Sequence, residues 1–81
     1  MLSTWEKILE YASMPVHGTM SRKLRKGVRL QINEGKIYEG AVLFIGEKFV
    51  RLTEKDQNGE NINTYHDLNK ILSIRTYSLK D

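Results

Sequence analysis

Cysteine is absent from the 81 residues, and proline and tryptophan occur only once each. Without cysteine the chain can form neither a disulfide framework nor a thiolate metal site. Its apolar runs are far shorter than the roughly 18 residues that cross a bilayer as a helix. The N-terminal segment carries acidic residues where a secretory signal would be apolar. We therefore expect a cytoplasmic protein that forms a single domain, residues 1–81, and makes no membrane contact.

Acidic residues are missing from one long stretch of the chain. None lies between Tyr11 and Asn33. Five basic residues fall close together in this stretch, namely Arg22, Lys23, Arg25, Lys26 and Arg29. The whole chain has 13 Lys and Arg against 10 Asp and Glu, for a net charge of +3. The sequence therefore predicts a local positive patch on a protein of modest overall charge.

The N-terminal segment has the pattern of a short amphipathic helix. Ser3 and Glu6 fit a capping box. The apolar residues at helical spacing are Trp5, Ile8, Leu9 and Ala12. Pro15 and Gly18 end the pattern, so we predict a helix over about residues 3–13 that packs its apolar stripe, anchored by Trp5, on the rest of the domain. Residues 14–26, which carry most of the basic cluster, are predicted to be a connector.

From Gly27 onward the hydrophobic period changes to two, which is typical of half-buried strands. The predicted strands cover residues 28–32, 36–45, 49–53, 61–66 and 71–77. Gly35 is expected to adopt positive φ in the first turn, and Asn58-Gly59 to form a hairpin tip. Gly40 predicts a sharp bend within the second strand. The fold class is therefore mainly β: a small, strongly bent, five-stranded antiparallel barrel over residues 27–79, with an N-terminal α-helix.

The second strand contains an uncharged run, residues 41–45, that does not alternate with polar residues. We expect three of its side chains to line the barrel interior, namely Tyr38, Val42 and Phe44. The outward side chains are then Ile37, Ala41, Leu43 and Ile45. Because an exposed apolar strand is an aggregation hazard, the N-terminal helix or another subunit has to cover them.

Residues 28–52 and 62–77 together resemble the Sm-like family, which includes the LSm proteins and bacterial Hfq. The first motif of that family is matched in order by residues 28–32, Gly35, Gly40, Val42, Gly46 and residues 49–52. The second motif is matched by residues 71–74, preceded by a turn over 67–70. Gly46 and Val50 stand where the family usually has the Asp and Asn that hold a uracil, and residues 67–70 replace its Arg-Gly or Lys-His. The resemblance therefore implies the fold but not the standard base pocket.

For function, the resemblance implies a non-catalytic scaffold that binds RNA as a homo-oligomeric ring. Sm-like subunits pair the fourth strand of one protomer with the fifth strand of the next, in rings of five to seven. The expected contributors to this contact are Leu43, Ile45, Tyr65, Ile71 and Tyr77. Single-stranded RNA is the expected ligand, because its bases can be splayed onto aromatic rings. The expected RNA contacts are Arg22, Lys23, Arg25, Lys26 and Arg29 for phosphates, Tyr65 for stacking, and His66 and Lys70 at a turn lining the pore.

Several alternatives stay open at this point. The basic cluster could be a solvated connector, and the aromatic residues could serve core and interface packing. The whole domain could be an SH3-like barrel that acts as a protein–protein interaction or structural module without nucleic-acid binding.

Nothing in the sequence indicates an enzyme, a cofactor, a metal or a small-molecule substrate. His17 and His66 are 49 positions apart and lack a helical partner for a metal site. His66 and Asp67 are neighbours on a predicted strand and point to opposite faces, so they cannot form a triad with Ser73. The glycines are too dispersed for a phosphate loop.

Overall fold

A computed structural model describes residues 4–78 and shows a mainly β protein with one short α-helix. The helix α1 covers Thr4–Tyr11, and a 3-10 turn covers Leu68–Lys70. The strands are β1 (Ser13–Pro15), β2 (Arg22–Leu24), β3 (Val28–Ile32), β4 (Ile37–Glu39), β5 (Val42–Ile45), β6 (Phe49–Lys55), β7 (Asn61–Asp67) and β8 (Ile74–Ser78). The predicted strand class is confirmed, and the first predicted strand, 28–32, coincides with β3.

The strands form two antiparallel sheets, with the orders β1-β2-β5-β6-β7 and β4-β3-β8. The predicted second strand is divided between them: β4 belongs to the small sheet and β5 to the large one. Gly40, with φ of +67°, lies at the division, so the predicted bend at this glycine is confirmed. A closed five-stranded barrel is not confirmed, since among residues 4–78 neither sheet pairs its two outer strands.

The helix packs one apolar stripe against the sheets, as its spacing predicts. Leu9 is fully buried, and Trp5 packs against the common core. Ser3, the predicted cap, lies outside the described residues, as does Leu79 at the predicted end of the barrel. Ala12 follows the helix and still donates its backbone N–H to the Ile8 carbonyl (3.0 Å). The helix is thus held mainly by burial of its stripe, as expected for so short an element.

The connector predicted for residues 14–26 is wrong, because this segment contributes to two strands. β1 and β2 pair as a hairpin, and β2 adds to β5 with Arg22 opposite Leu43. Leu24 on β2 is buried in the core. The strands have only three residues each, too few to show a period of two in the sequence. Pro15 misled the prediction as well, although a proline is tolerated in β1 because that strand is at a sheet edge.

The predicted facing of the second strand is wrong beyond Gly40. Tyr38 is buried as expected, but Ala41 and Leu43 are also buried, at 1% and 0% exposure. Tyr38 and Ala41 are three residues apart and both buried, which breaks the strict alternation of inward and outward side chains along a strand. The cause is the left-handed backbone of Gly40, which takes one residue out of the pleat and reverses the facing of the residues in β5.

Burial within the chain corrects two of the expected subunit contacts, and the reversal after Gly40 accounts for the first of them. Leu43 is enclosed by its own chain, and Ile71, at 5% exposure, belongs to the same core. Neither side chain needs a second subunit to cover it. The members of the single core are Leu9, Ala12, Leu24, Leu30, Ile32, Tyr38, Ala41, Leu43, Val50, Leu52, Leu68 and Ile71.

The turn between β3 and β4 also differs from expectation. The residues with positive φ are Asn33 (+55°) and Glu34 (+62°), and Gly35 is not among them. Gly35 donates its N–H to the Ile32 carbonyl (3.0 Å), which closes a two-residue turn of the I′ type. At the other predicted hairpin tip, Gly59 has φ of +82°, as its position in the sequence indicates.

Candidate nucleic-acid interface

The basic cluster divides according to what its side chains contact. Arg22 donates from Nε to Ser13 Oγ (2.8 Å), and from Nη2 to the carbonyls of Glu10 (3.1 Å) and Ser13 (3.3 Å). Arg25 donates from Nε to the Tyr11 carbonyl (2.9 Å). These carbonyls belong to or closely follow the last turn of α1, which carries the negative end of the helix dipole. Arg22 and Arg25 therefore stabilise the helix end, and most of the hydrogen-bonding capacity of Arg22 is used within the fold.

The other three basic residues are exposed but do not share a surface. Lys23 and Lys26 line a groove of about 540 Å³ beside the β1–β2 hairpin. Arg29 is in the small sheet, where its guanidinium lies 5.1 Å from the ring centroid of Tyr77. The sequence run therefore does not form one patch: Lys23, Arg25 and Lys26 line the groove, whereas Arg29 is on the small sheet and Arg22 is bonded to the helix end.

Tyr65, His66 and Lys70 are likewise separated. Tyr65 is 60% exposed on β7, whereas His66 is opposite the buried Val50 and faces the core side. Burial lowers the pKa of His66 below its ordinary value of 6.5, and its Nε2 has no hydrogen-bond partner among the described residues. An imidazole that is uncharged at neutral pH does not attract phosphate. Lys70 is exposed at the end of the 3-10 turn.

The solvent-facing side of the large sheet, which we call the outer face, collects residues from all five strands. One cross-strand row consists of Met14, Lys23, Val42, Thr53 and Asn63. The next row consists of Phe44, Arg51 and Tyr65, followed by Phe49 opposite Asp67. The alternate residues on the same strands, such as Leu43, Val50 and Leu52, are buried in the core. The outer face is thus fixed by the pleat of strands whose other side is fully buried.

Three aromatic rings form a line on this outer face. The ring centroids of Phe44 and Phe49 are 6.0 Å apart, and those of Phe49 and Tyr65 are 5.9 Å apart, with tilts of 44° and 48°. The Arg51 guanidinium lies 5.4 Å from the centroid of Phe44, in cation–π geometry. The ring of Phe49 lies directly over Gly46, where an added Cβ would come within 2.6 Å of it, so any larger residue at this turn would displace the ring.

The prediction from sequence found Tyr65 but missed Phe44, Phe49 and Arg51 as surface groups. Arg51 alternates with the buried Val50 and Leu52, which was a usable signal for an outward guanidinium. Phe44 was expected in the interior because Gly40 was read as a bend without a change of facing. The row that joins these side chains depends on the register of β5, β6 and β7, which no local pattern supplies.

A second, smaller group of cations surrounds Tyr77 on the small sheet. Tyr77 donates its hydroxyl to Gln31 Oε1 (3.2 Å), with Arg29 over its ring. A hydrogen bond with Tyr77 also raises the pKa of Arg75. These side chains contact one another across β3 and β8, and Arg75 was not anticipated from the sequence.

Metal binding and membrane insertion are two further possibilities for a small domain. Within residues 4–78, no group of three or more His, Asp or Glu side chains is positioned to hold a metal ion. In the same part of the chain no helix is both long and apolar enough to cross a membrane.

Comparison with known proteins yields no relative. No protein-family model matches the sequence, and neither the curated proteins nor the solved structures give a significant match.

Proposed function

We propose that this protein is an Sm-like, non-catalytic scaffold that assembles into a homo-oligomeric ring and binds single-stranded RNA. The observation that carries the proposal concerns the fourth and fifth predicted strands, which are β7 and β8. Among the described residues each of them has a hydrogen-bonded neighbour on one side only. An open strand edge is a template for pairing with another chain. These are also the two strands that Sm-like subunits join between protomers.

The order in which the strands pair within the chain also supports an Sm-like subunit. β8, β3 and β4 pair in succession, and the chain then continues through Gly40 into β5, which pairs with β6 and then β7. The five predicted strands therefore follow one another as a single bent ribbon, which is the arrangement that the proposed barrel requires. Tyr65 on β7, Tyr77 on β8 and the partly buried Ile45 would lie near the contact.

The assembly is tested by the mass in solution. Static light scattering at micromolar concentration is expected to give five to seven times the 9.4 kDa of one chain. Ile62→Lys places a charge on the open edge of β7, where the isoleucine is 45% exposed, and is expected to lower that mass. Ile37→Lys is the matched control, since Ile37 is 41% exposed on β4, an edge that the ring does not use. A wild-type monomer would refute the ring.

RNA binding is tested by titration with labelled oligonucleotides at two salt concentrations. Lys23 and Lys26 are exposed, and several copies in a ring would strengthen individually weak phosphate contacts. The double variant Lys23→Gln/Lys26→Gln is expected to reduce both the affinity and its dependence on salt. Arg22→Gln would weaken the fold instead, because its donors bind the helix end. Wild-type protein that binds no RNA at low salt would overturn this half of the proposal.

One observation favours a second function, that of a protein-interaction module. The groove of about 540 Å³ beside the β1–β2 hairpin has an apolar lining that includes Met14, Pro15, Val16 and Leu24. Such a groove suits an apolar segment of another protein. Stoichiometric recovery of one protein from nuclease-treated lysate, lost in Val16→Lys, would support this function. Recovery that depends on intact RNA would count against it.

A further inference from the structure

The outer face of the large sheet carries exposed aromatic rings. Tyr65 is 60% exposed and Phe49 is 37% exposed, and the two rings lie side by side in solvent. Large aromatic side chains belong mainly to cores and binding surfaces. Since the other side of these strands is already packed against the core, this line of rings is not needed to enclose it.

The charges beside the rings are mostly positive. Lys23, Arg51 and Lys55 are on the outer face, against one carboxylate, that of Asp67. The Asp67 carboxylate already accepts a hydrogen bond from the backbone N–H of Asn69 (2.8 Å). The side chain of Lys23 has no hydrogen bond or ion pair with any described residue. Lys55 Nζ donates to the Gly59 carbonyl (3.4 Å) and to Asn61 Oδ1 (3.1 Å), so Lys23 and the guanidinium of Arg51 are the cations left for a ligand. Aromatic rings with these cations beside them complement a ligand that combines flat faces with negative charge.

Arg51 adds a second observation. Its Nε is shielded from solvent and has no hydrogen-bond partner among the described residues. Its guanidinium plane is held near Phe44 by the cation–π contact. A buried donor that lacks a partner costs free energy, so the hydrogen-bonding capacity of the Arg51 guanidinium is not saturated within the described part of the chain.

We propose that the outer face is a stacking platform for single-stranded RNA, with bases on Phe49 and Tyr65 and phosphates toward Lys23 and Arg51. The proposal rests on the RNA-binding function proposed above and adds the surface that carries it. Every base has a π face, so such a platform tolerates many sequences. A duplex keeps its base faces stacked internally and cannot use the platform.

The outer face is large enough for a short segment of single-stranded RNA. Lys23 and Asn63 belong to one cross-strand row and are three strand spacings apart, which is about 14 Å. The Asn63 Oδ1 accepts the hydroxyl of Thr53 (2.6 Å), and this bond leaves the amide hydrogens of Asn63 available for base edges. The platform therefore extends beyond one base and lies entirely within one chain, so it does not require the ring.

The experiment measures fluorescence anisotropy of labelled U12 and A12 RNA and of a matched 12-base-pair duplex. Tyr65→Leu and Phe49→Leu are each expected to weaken single-strand binding roughly 5- to 100-fold, because each removes one stacking contact. Tyr65→Phe keeps the ring and is expected to stay within about 2-fold of wild type. Tyr11→Leu is the matched control, since Tyr11 is an 83% exposed tyrosine outside the outer face.

Salt dependence separates stacking from charge. Tyr65→Leu is expected to leave the dependence of affinity on salt unchanged, whereas Lys23→Gln is expected to reduce it. Thermal melts check folding, and Tyr65→Leu alone decides the matter if Phe49→Leu is unstable. Light scattering of Tyr65→Leu checks that the assembly is unchanged, since Tyr65 also lies near the proposed ring contact.

Three outcomes would overturn the platform, and they differ in what else they affect. Wild-type binding that neither leucine variant weakens would refute the platform and leave the RNA-binding function standing. Equal affinity for the duplex would refute stacking in favour of general phosphate attraction. Wild-type protein that binds none of the three probes would refute the RNA-binding function together with the platform.

Discussion

Asn33 offers the sharpest test of how this fold is held together, because one exposed side chain ties two distant segments. Its Nδ2 donates to the Lys70 carbonyl (2.9 Å), and its Oδ1 accepts the backbone N–H groups of Leu72 (2.6 Å) and Ser73 (3.1 Å). These bonds fasten the segment that leads into β8. Asn33 also has φ of +55°, a conformation that asparagine tolerates better than alanine.

Replacing Asn33 by alanine removes the three side-chain bonds and adds backbone strain. Hydrogen bonds contribute about 0.5–1.5 kcal/mol each, and the low end applies at this exposed site. The left-handed conformation costs alanine about 1 kcal/mol more. We expect Asn33→Ala to lower the free energy of unfolding by about 2–4 kcal/mol, which for a domain of this size is a fall in melting temperature of roughly 10–25 °C.

Urea unfolding followed by circular dichroism measures the change in the free energy of unfolding. Two further variants separate the contribution of the lost hydrogen bonds from that of backbone strain. Asn33→Gly loses the same bonds without the strain, so it should cost about 1 kcal/mol less than the alanine variant. Asn33→Asp keeps the acceptor and should cost less still. Asn58→Ala, at the other hairpin, is the control and is expected to change stability by no more than about 0.5 kcal/mol. If Asn33→Ala matched this control, the side-chain bonds would have no part in fastening β8.

Three further predictions concern the core, the helix end and pH. Leu43→Ala is expected to lower the free energy of unfolding by about 2–5 kcal/mol, because it opens a cavity at a fully buried site. If chemical unfolding showed a loss under about 1 kcal/mol, Leu43 would not be enclosed by the core. Arg22→Lys should cost about 1–3 kcal/mol by losing the guanidinium bonds to Ser13 and the helix carbonyls, whereas Lys23→Gln should be neutral in the same assay. Burial lowers the pKa of His66, so the unfolded state binds a proton on this imidazole more tightly than the folded state does. The free energy of unfolding should therefore fall as the pH drops below about 6.5. His66→Gln should reduce this loss between about pH 7.5 and 5, and an unchanged pH profile would assign the loss to other groups.

The sequence predicted the elements well wherever a period extended over enough residues. The helix stripe with Leu9, the strand Val28–Ile32 and the hairpin at Gly59 each express a local rule that the structure confirms. The prediction was wrong where an element is too short to show a period, as in β1 and β2. It was also wrong where a single glycine changed the facing of the residues after it, as at Gly40. A local hydrophobic pattern does not reveal that one residue has left the pleat and that the facing of the following residues has changed.

The candidate site was predicted less completely than the fold. Arg22 and Arg25 stand in a basic run, but their donors are directed to the carbonyls at the helix end, which only the packing of α1 beside β2 explains. Tyr65 was predicted to stack on RNA, and its exposed ring on β7 is compatible with that prediction, which remains to be tested. Its neighbours Phe49, Phe44 and Arg51 come from two other strands and join it only through cross-strand register.

The amino-acid sequence by itself determined the class of the molecule: mainly β, with a leading amphipathic helix and a bend at Gly40. The helix, the strands and the bend follow from hydrophobic period and turn chemistry, which depend only on residues that are close together in the chain. Tertiary structure alone decided which side of each strand is buried, which arginines are used by the helix end and which rings share the outer face. Those choices depend on register between strands that are distant in the chain, and register is set by the packing of the common core.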